Sequence, residues 1–87
     1  MKKSPATTQL EVIARSPFKV YYEGPAKVVS ASNRVGKFDI LPGHADFFSV
    51  MTPGEVIIDT ESQPVSFSIS NGIISVRADK AMLFVNI

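Results

Sequence analysis

The one histidine of the chain, His44, stands in the segment GKFDILPGHADFF (Gly36 to Phe48) between two carboxylates, Asp39 and Asp46. An imidazole flanked by acids can be a general base or a metal ligand. Catalytic zinc, however, generally takes three protein ligands, and the sequence offers a single imidazole and no thiolate to combine with scattered carboxylates. That shortage favours a turn histidine that hydrogen-bonds a neighbouring loop or meets a protein partner. Serines are frequent, yet none stands in a G-x-S-x-G elbow, and Ser66, Ser68 and Ser70 alternate with Val65, Phe67 and Ile69 as the polar face of a strand. Gly24, Gly36, Gly43, Gly54 and Gly72 stand singly, so no glycine-rich loop is available to cradle a phosphate. Tyr21, Tyr22, Phe38, Phe47 and Phe48 could stack bases on a small barrel. Adjacent aromatics must face opposite sides of a strand, however, and no basic groove runs beside them. No catalytic residue, metal site or cofactor is therefore expected, and contact is the expected trade of the chain.

The elements that would position these residues are short strands. With 87 residues the chain makes one domain. A domain of this size buries about 60 to 65% of the surface its unfolded chain exposes. An apolar content of 45% with 20% charged residues suffices for one modest core. The absence of cysteine suits a reducing compartment and removes disulfides from consideration. Residues 1–9 (MKKSPATTQ) carry two lysines but no following apolar run, and read as a solvated tail before a domain that fills residues 10–87. No apolar run approaches the roughly 20 residues that cross a bilayer, so any membrane association goes through a partner. The net charge is +1, with basic and acidic residues interspersed, which gives no concentrated field for nucleic acid.

Period two dominates: LEVIA, KVYY, AKVVSAS, KFDIL, FFSVM, EVIID, VSFSIS, IISVR and AMLFVNI all read as strands. Breakers separate them at short intervals. Pro42-Gly43 and Pro53-Gly54 predict turns, and Asn71-Gly72 carries the signature of a two-residue hairpin. About nine such strands predict an all-β fold, an antiparallel β-sandwich or flattened barrel. The core expected from the alternation is Val12, Val20, Val28, Ile40, Phe48, Val56, Ile58, Phe67, Ile69, Ile74, Val76, Leu83 and Val85.

The run VGKFDILPGHADFFSVMTPGEVII resembles the N-terminal β-sandwich domain of the epsilon subunit of rotary ATP synthases, the delta subunit of mitochondria. That family carries a G-E-[LF]-G-I-x-P-G-H-A-P-L-L segment, then a strand, a [KR]-P-G turn and another strand. Gly36, Phe38, Ile40, Pro42, Gly43, His44 and Ala45 match in place, and Pro53-Gly54 falls at the second turn. Leu10, Val12, Ser16, Gly24 and Val28 to Val29 fit the opening strands, and Phe67, Ser70, Gly72, Val76 and Asp79 the closing ones. The resemblance implies a ten-stranded sandwich on the central stalk, without catalysis or cofactor, that links the gamma shaft to the c-ring. It implies a cytoplasmic location on the inner face of the plasma membrane, reached only through the complex, and a monomer in isolation.

Carried over by position, Asn33, Arg34, Gly36 and Lys37 should meet the c-ring loops, while His44, Ala45 and Phe47 should meet gamma. His44 would then be a hydrogen-bond donor at an interface. Several positions depart from the pattern: Asp39 replaces a glycine, Asp46 a proline or apolar residue, Thr52 a basic residue and Asn71 a glycine, and Lys37 reverses an acidic charge. Reversed charges change which partner is tolerated, so the alternative is a free-standing module that keeps the sandwich but serves another complex. Typical members continue into two C-terminal helices that regulate hydrolysis and in some bind ATP. The resemblance covers the sandwich and not that helical hairpin, so neither property carries over.

Overall fold

The computed structural model describes residues 9–87, so the expected tail, apart from Gln9, lies outside the described residues. Nine strands follow in chain order: β1 Leu10–Arg15, β2 Val20–Ala26, β3 Val28–Asn33, β4 Gly36–Ile40, β5 Phe47–Met51, β6 Gly54–Asp59, β7 Val65–Ile69, β8 Gly72–Arg77 and β9 Lys80–Val85. They form a five-stranded sheet of order β2-β1-β9-β8-β5 and a four-stranded sheet of order β4-β3-β6-β7. The β-sandwich expected from period two is therefore present. Among the described residues no helix is long and apolar enough to cross a membrane.

Alternation sends one set of side chains from each strand into a shared core. The five-stranded sheet contributes Leu10, Val12 and Ala14 from β1, Ala81, Leu83 and Val85 from β9, and Ile74 and Val76 from β8. Val29, Ala31, Ile40, Val56, Ile58 and Ile69 face them from the four-stranded sheet. Most of the expected core is there, with four corrections. Phe48 is 65% exposed because Phe47 takes the inward place, its ring centroid 5.3 Å from that of Phe38. Val20 is 44% exposed: it opens β2 opposite Arg15, at the edge of the sheet. Val28 is half-buried and Val29 fully buried, since a Val-Val pair gives alternation no preference between them. Phe67 is half-buried, stacked on Tyr21 with ring centroids 4.4 Å apart.

Three features of the pairing also differ from the expected pattern. β1 and β9 run parallel, so the sheet is not wholly antiparallel. The register of β1 and β2 shifts between Ala14 and Arg15, and this bulge lets both Tyr21 and Tyr22 pack against the core. Asn71-Gly72 is not a hairpin, because β7 and β8 belong to different sheets and the link carries the chain between them. Glycine is needed there for space: a Cβ on Gly72 would lie 2.9 Å from the Phe84 carbonyl oxygen and 3.0 Å from Met51 Cε. A two-residue hairpin whose central residues both have positive φ stands instead at Ala78-Asp79, between the paired Arg77 and Lys80, with φ of 50° and 64°.

Strand directions and short links set what lies at each end of the sandwich. One end gathers the Ser16–Lys19 loop, the Asn33–Gly36 turn and the links at 52–53 and 70–71. The other gathers Lys27, residues 41–46, residues 60–64 and Ala78-Asp79.

Candidate functional site

His44 sits in the link from β4 to β5. Its N–H donates to the Leu41 carbonyl over 3.1 Å, and Gly43 has φ of 83°, so Pro42 and Gly43 occupy the two central positions of a type II turn. The Asp79 carboxylate accepts the Gly43 N–H at 2.7 Å, and the Asp79 carbonyl accepts the Glu11 N–H at 2.9 Å. One residue thus ties the histidine turn, the β8–β9 hairpin and the start of β1. The family motif contained Asp79, but nothing in its spacing told of this bracing role.

The half-buried imidazole of His44 meets the Phe47 ring edge-on, with centroids 5.5 Å apart, and its Nδ1 lies 2.8 Å from the Ala45 carbonyl oxygen. A carbonyl oxygen has no proton to give, so this contact requires Nδ1–H and leaves Nε2 of the neutral ring an acceptor. The donor is thus engaged within the turn, and the other ring nitrogen is left as an acceptor. His44, Ala45 and Phe47 do come together. The two flanking acids do not join them: Asp39 accepts the Ser30 hydroxyl at 2.7 Å, and Asp46 lies 4.0 Å from Arg77 Nε, both side chains largely in solvent. Among the described residues no three His, Asp or Glu side chains gather in the way a metal ion requires.

The expected c-ring group lies at the opposite end. Asn33 and Gly36 pair at the close of β3 and the start of β4, and the Asn33 Oδ1 accepts the N–H groups of Val35 (2.9 Å) and Gly36 (3.2 Å). Asn33 Nδ2 donates to Ser49 Oγ at 3.1 Å, which anchors the turn on β5. Arg34 and Lys37 are exposed, and Val35 between them is 95% exposed. Lys37 shares a shallow cleft on the four-stranded sheet with Asp39 and Glu55. Val35 was absent from the expected contact set because no rule of periodicity marks a turn residue as bare.

Sequence reasoning also missed the outer face of the five-stranded sheet. Ile13, Met82, Phe84, Ile73, Phe48 and Val50 alternate outward on β1, β9, β8 and β5, and the pairings Ile13 with Met82, Phe84 with Ile73, and Ile73 with Val50 make them a continuous stripe. Met82, Phe48 and Val50 are each more than half exposed. A contiguous apolar patch of this kind marks a contact surface more often than a solvent face. Its signal was present in KAMLFV, where both faces of one strand are apolar.

Comparison with known proteins places the chain in a family. A family model described as the beta-sandwich domain of the ATP synthase Delta/Epsilon chain matches residues 7–87. The chain is 30% identical over 77 residues to an ATP synthase epsilon chain of Trichlorobacter lovleyi, covering 88% of this chain and 54% of that one. It is 32% identical over 79 residues to the epsilon chain of Ruthia magnifica, covering 91% and 56%. It thus spans about half the length of the curated relatives it matches. Its fold superposes with TM-score 0.85, at 15% identity, on a chain in a cryo-EM structure of the Euglena gracilis mitochondrial ATP synthase, OSCP/F1/c-ring, covering 97% of this chain and 54% of that one. A chain in the Tetrahymena thermophila mitochondrial ATP synthase central stalk and c-ring structure superposes with TM-score 0.75 at 20% identity, covering 87% and 62%.

Proposed function

Because the chain belongs to the ATP synthase delta/epsilon β-sandwich family, we propose that it serves as a non-catalytic central-stalk part that couples the gamma shaft to the c-ring. The observation that carries this reading is the separation of the two expected contact groups, His44 with Ala45 and Phe47 at one end and Asn33 to Lys37 at the other. A part that transmits torque between two partners needs two surfaces on one stiff body, and two sheets packed over a common core supply that body.

At the gamma side, His44 and Ala45 present the turn while Phe47 braces the imidazole from beneath. Phe48, next in the chain and exposed on the outer face of the five-stranded sheet, extends that patch. At the ring side the Asn33–Gly36 turn offers Arg34 and Lys37. The reading places the chain at the cytoplasmic face of the plasma membrane, held there through its complex. Of the altered charges that favoured a free-standing module, Asp39 faces a partner within the chain, Ser30, while Asp46 and Lys37 remain exposed and favour it.

Affinity purification of the tagged chain from membranes in mild detergent tests the reading. Gamma and c-ring subunits are expected in the eluate, and an eluate lacking both overturns it.

A further inference from the structure

The two turns that face outward at the basic end are built alike. In one, the Ser16 hydroxyl accepts the Phe18 N–H at 3.2 Å; in the other, the Asn33 side chain accepts the Val35 N–H at 2.9 Å. Each is the local side-chain turn in which a polar residue holds the backbone two positions on. Each carries at that held position an apolar side chain that is 95% exposed. The Ser16–Lys19 loop is closed further by the Ser16 N–H to Lys19 carbonyl bond of 2.8 Å, and Ser16 itself is buried. A tight, internally bonded turn has little to lose in ordering when it meets a partner, so an aromatic ring on it is preorganised as an anchor.

The charges around the two turns agree in sign. Arg15 and Lys19 flank Phe18, and Arg34 and Lys37 flank Val35, with no acidic residue in either stretch. Arg15 Nε donates to the Ser16 carbonyl at 3.1 Å, and Lys19 Nζ lies 4.9 Å from the Tyr21 ring centroid, so both cations are held close to the loop. The acid nearest the Asn33 turn in sequence is Asp39, bonded to Ser30; Glu55 lies with it in the cleft beside Lys37. The two turns grow from the β1–β2 and β3–β4 hairpins, one in each sheet, and so straddle the end of the sandwich.

We propose that Phe18 is a second anchor at this end, and that Phe18 and Val35 together seat on one protein surface that is acidic around apolar recesses. Opposite charge steers such an encounter and sets its register, while the buried aromatic supplies most of the affinity. The proposal rests on the ring-side reading of the Asn33–Gly36 turn and adds to it a contact residue and the chemistry of the partner: loops bearing carboxylates.

The test places p-benzoylphenylalanine singly at positions 18, 35 and 48 of the full chain in cells, followed by irradiation of membranes and mass spectrometry of the attached peptides. The expected result is that the probes at 18 and 35 attach to the same c-ring loop, within a segment containing Asp or Glu, and that the probe at 48 does not. Attachment of 35 to the ring while 18 attaches to another protein, to lipid or to nothing overturns the inference and leaves the ring-side reading standing. A contact segment without acidic residues overturns it as well. If neither probe reaches the ring, the ring-side reading falls; the inference then survives only where both probes attach to one other protein through an acidic segment, and falls otherwise. Beside this, Phe18→Ser and Lys19→Glu should each lower retention of the chain in its complex about tenfold without altering its far-UV circular dichroism. Full retention of both variants would overturn the inference.

Discussion

At the histidine end a single residue, Asp79, holds three separate segments together, whereas at the basic end each exposed turn is held chiefly by a side chain of its own, Ser16 for Phe18 and Asn33 for Val35. The first arrangement makes a fixed shape out of parts distant in sequence. The second makes two preset points that depend little on each other. A surface meant to stay docked gains from cross-bracing, because any loosening would misplace several groups at once. A surface that meets its partner at separate points gains from turns whose form is set locally.

The contrast can be broken first beneath the basic end, where the sheets are joined by short links. Gly72→Ala pushes a methyl against the Phe84 carbonyl oxygen and should cost about 2 to 3 kcal/mol, read as a lower denaturant midpoint at unchanged slope. Asp79→Ala removes the acceptor of the Gly43 N–H and should cost about 1 to 2 kcal/mol, with faster amide exchange at Gly43, whereas Asp79→Asn, which keeps an oxygen and tolerates positive φ, should cost less than half of that. If the histidine turn kept its protection in Asp79→Ala, the bracing account would be wrong. Asn33→Ala should cost about 1 kcal/mol, with exchange rising at Val35 and Gly36 and unchanged at Phe18, since the two tips are held separately. Ala78→Gly should stabilise by about 0.5 to 1 kcal/mol, because alanine at φ of 50° is strained and glycine is not. Smallest of all, Val35→Ser should move stability by no more than about 0.5 kcal/mol in either direction, as the side chain is almost wholly in water already.

The strands were legible because branched and aromatic residues alternate with polar ones, and that alternation has only one folded solution per segment. LPGH was legible as a turn for equally local reasons: proline fixes one dihedral and glycine accepts the next. Where two apolar residues adjoin, as in Phe47-Phe48 and Val28-Val29, the alternation loses its phase, and only the neighbours across the core decide which points inward. Asn71-Gly72 misled because a hairpin signature is local, while the choice to cross between sheets is made by packing against Met51 and Val85. The bulge that turns both Tyr21 and Tyr22 to the core depends on register with β1, and the brace by Asp79 on residues 36 and 68 positions away, so neither could be read along the chain. The positions expected at the Asn33 turn were found from a motif, but the bareness of Val35 and Phe18 belongs to the surface of the finished fold.

β9, the ninth of the described strands to leave the ribosome, occupies the middle of the five-stranded sheet, with β1 on one side and β8 on the other. Until it arrives, the β1–β2 hairpin and the β5–β8 pair have no common neighbour, and both β1 and β8 show an open row of backbone donors and acceptors. Such rows recruit foreign strands, and pairing of strands as far apart in sequence as β1 and β9 is slow to form. Six residues, Lys80–Val85, thus close both edges at once and turn two strand pairs into one sheet.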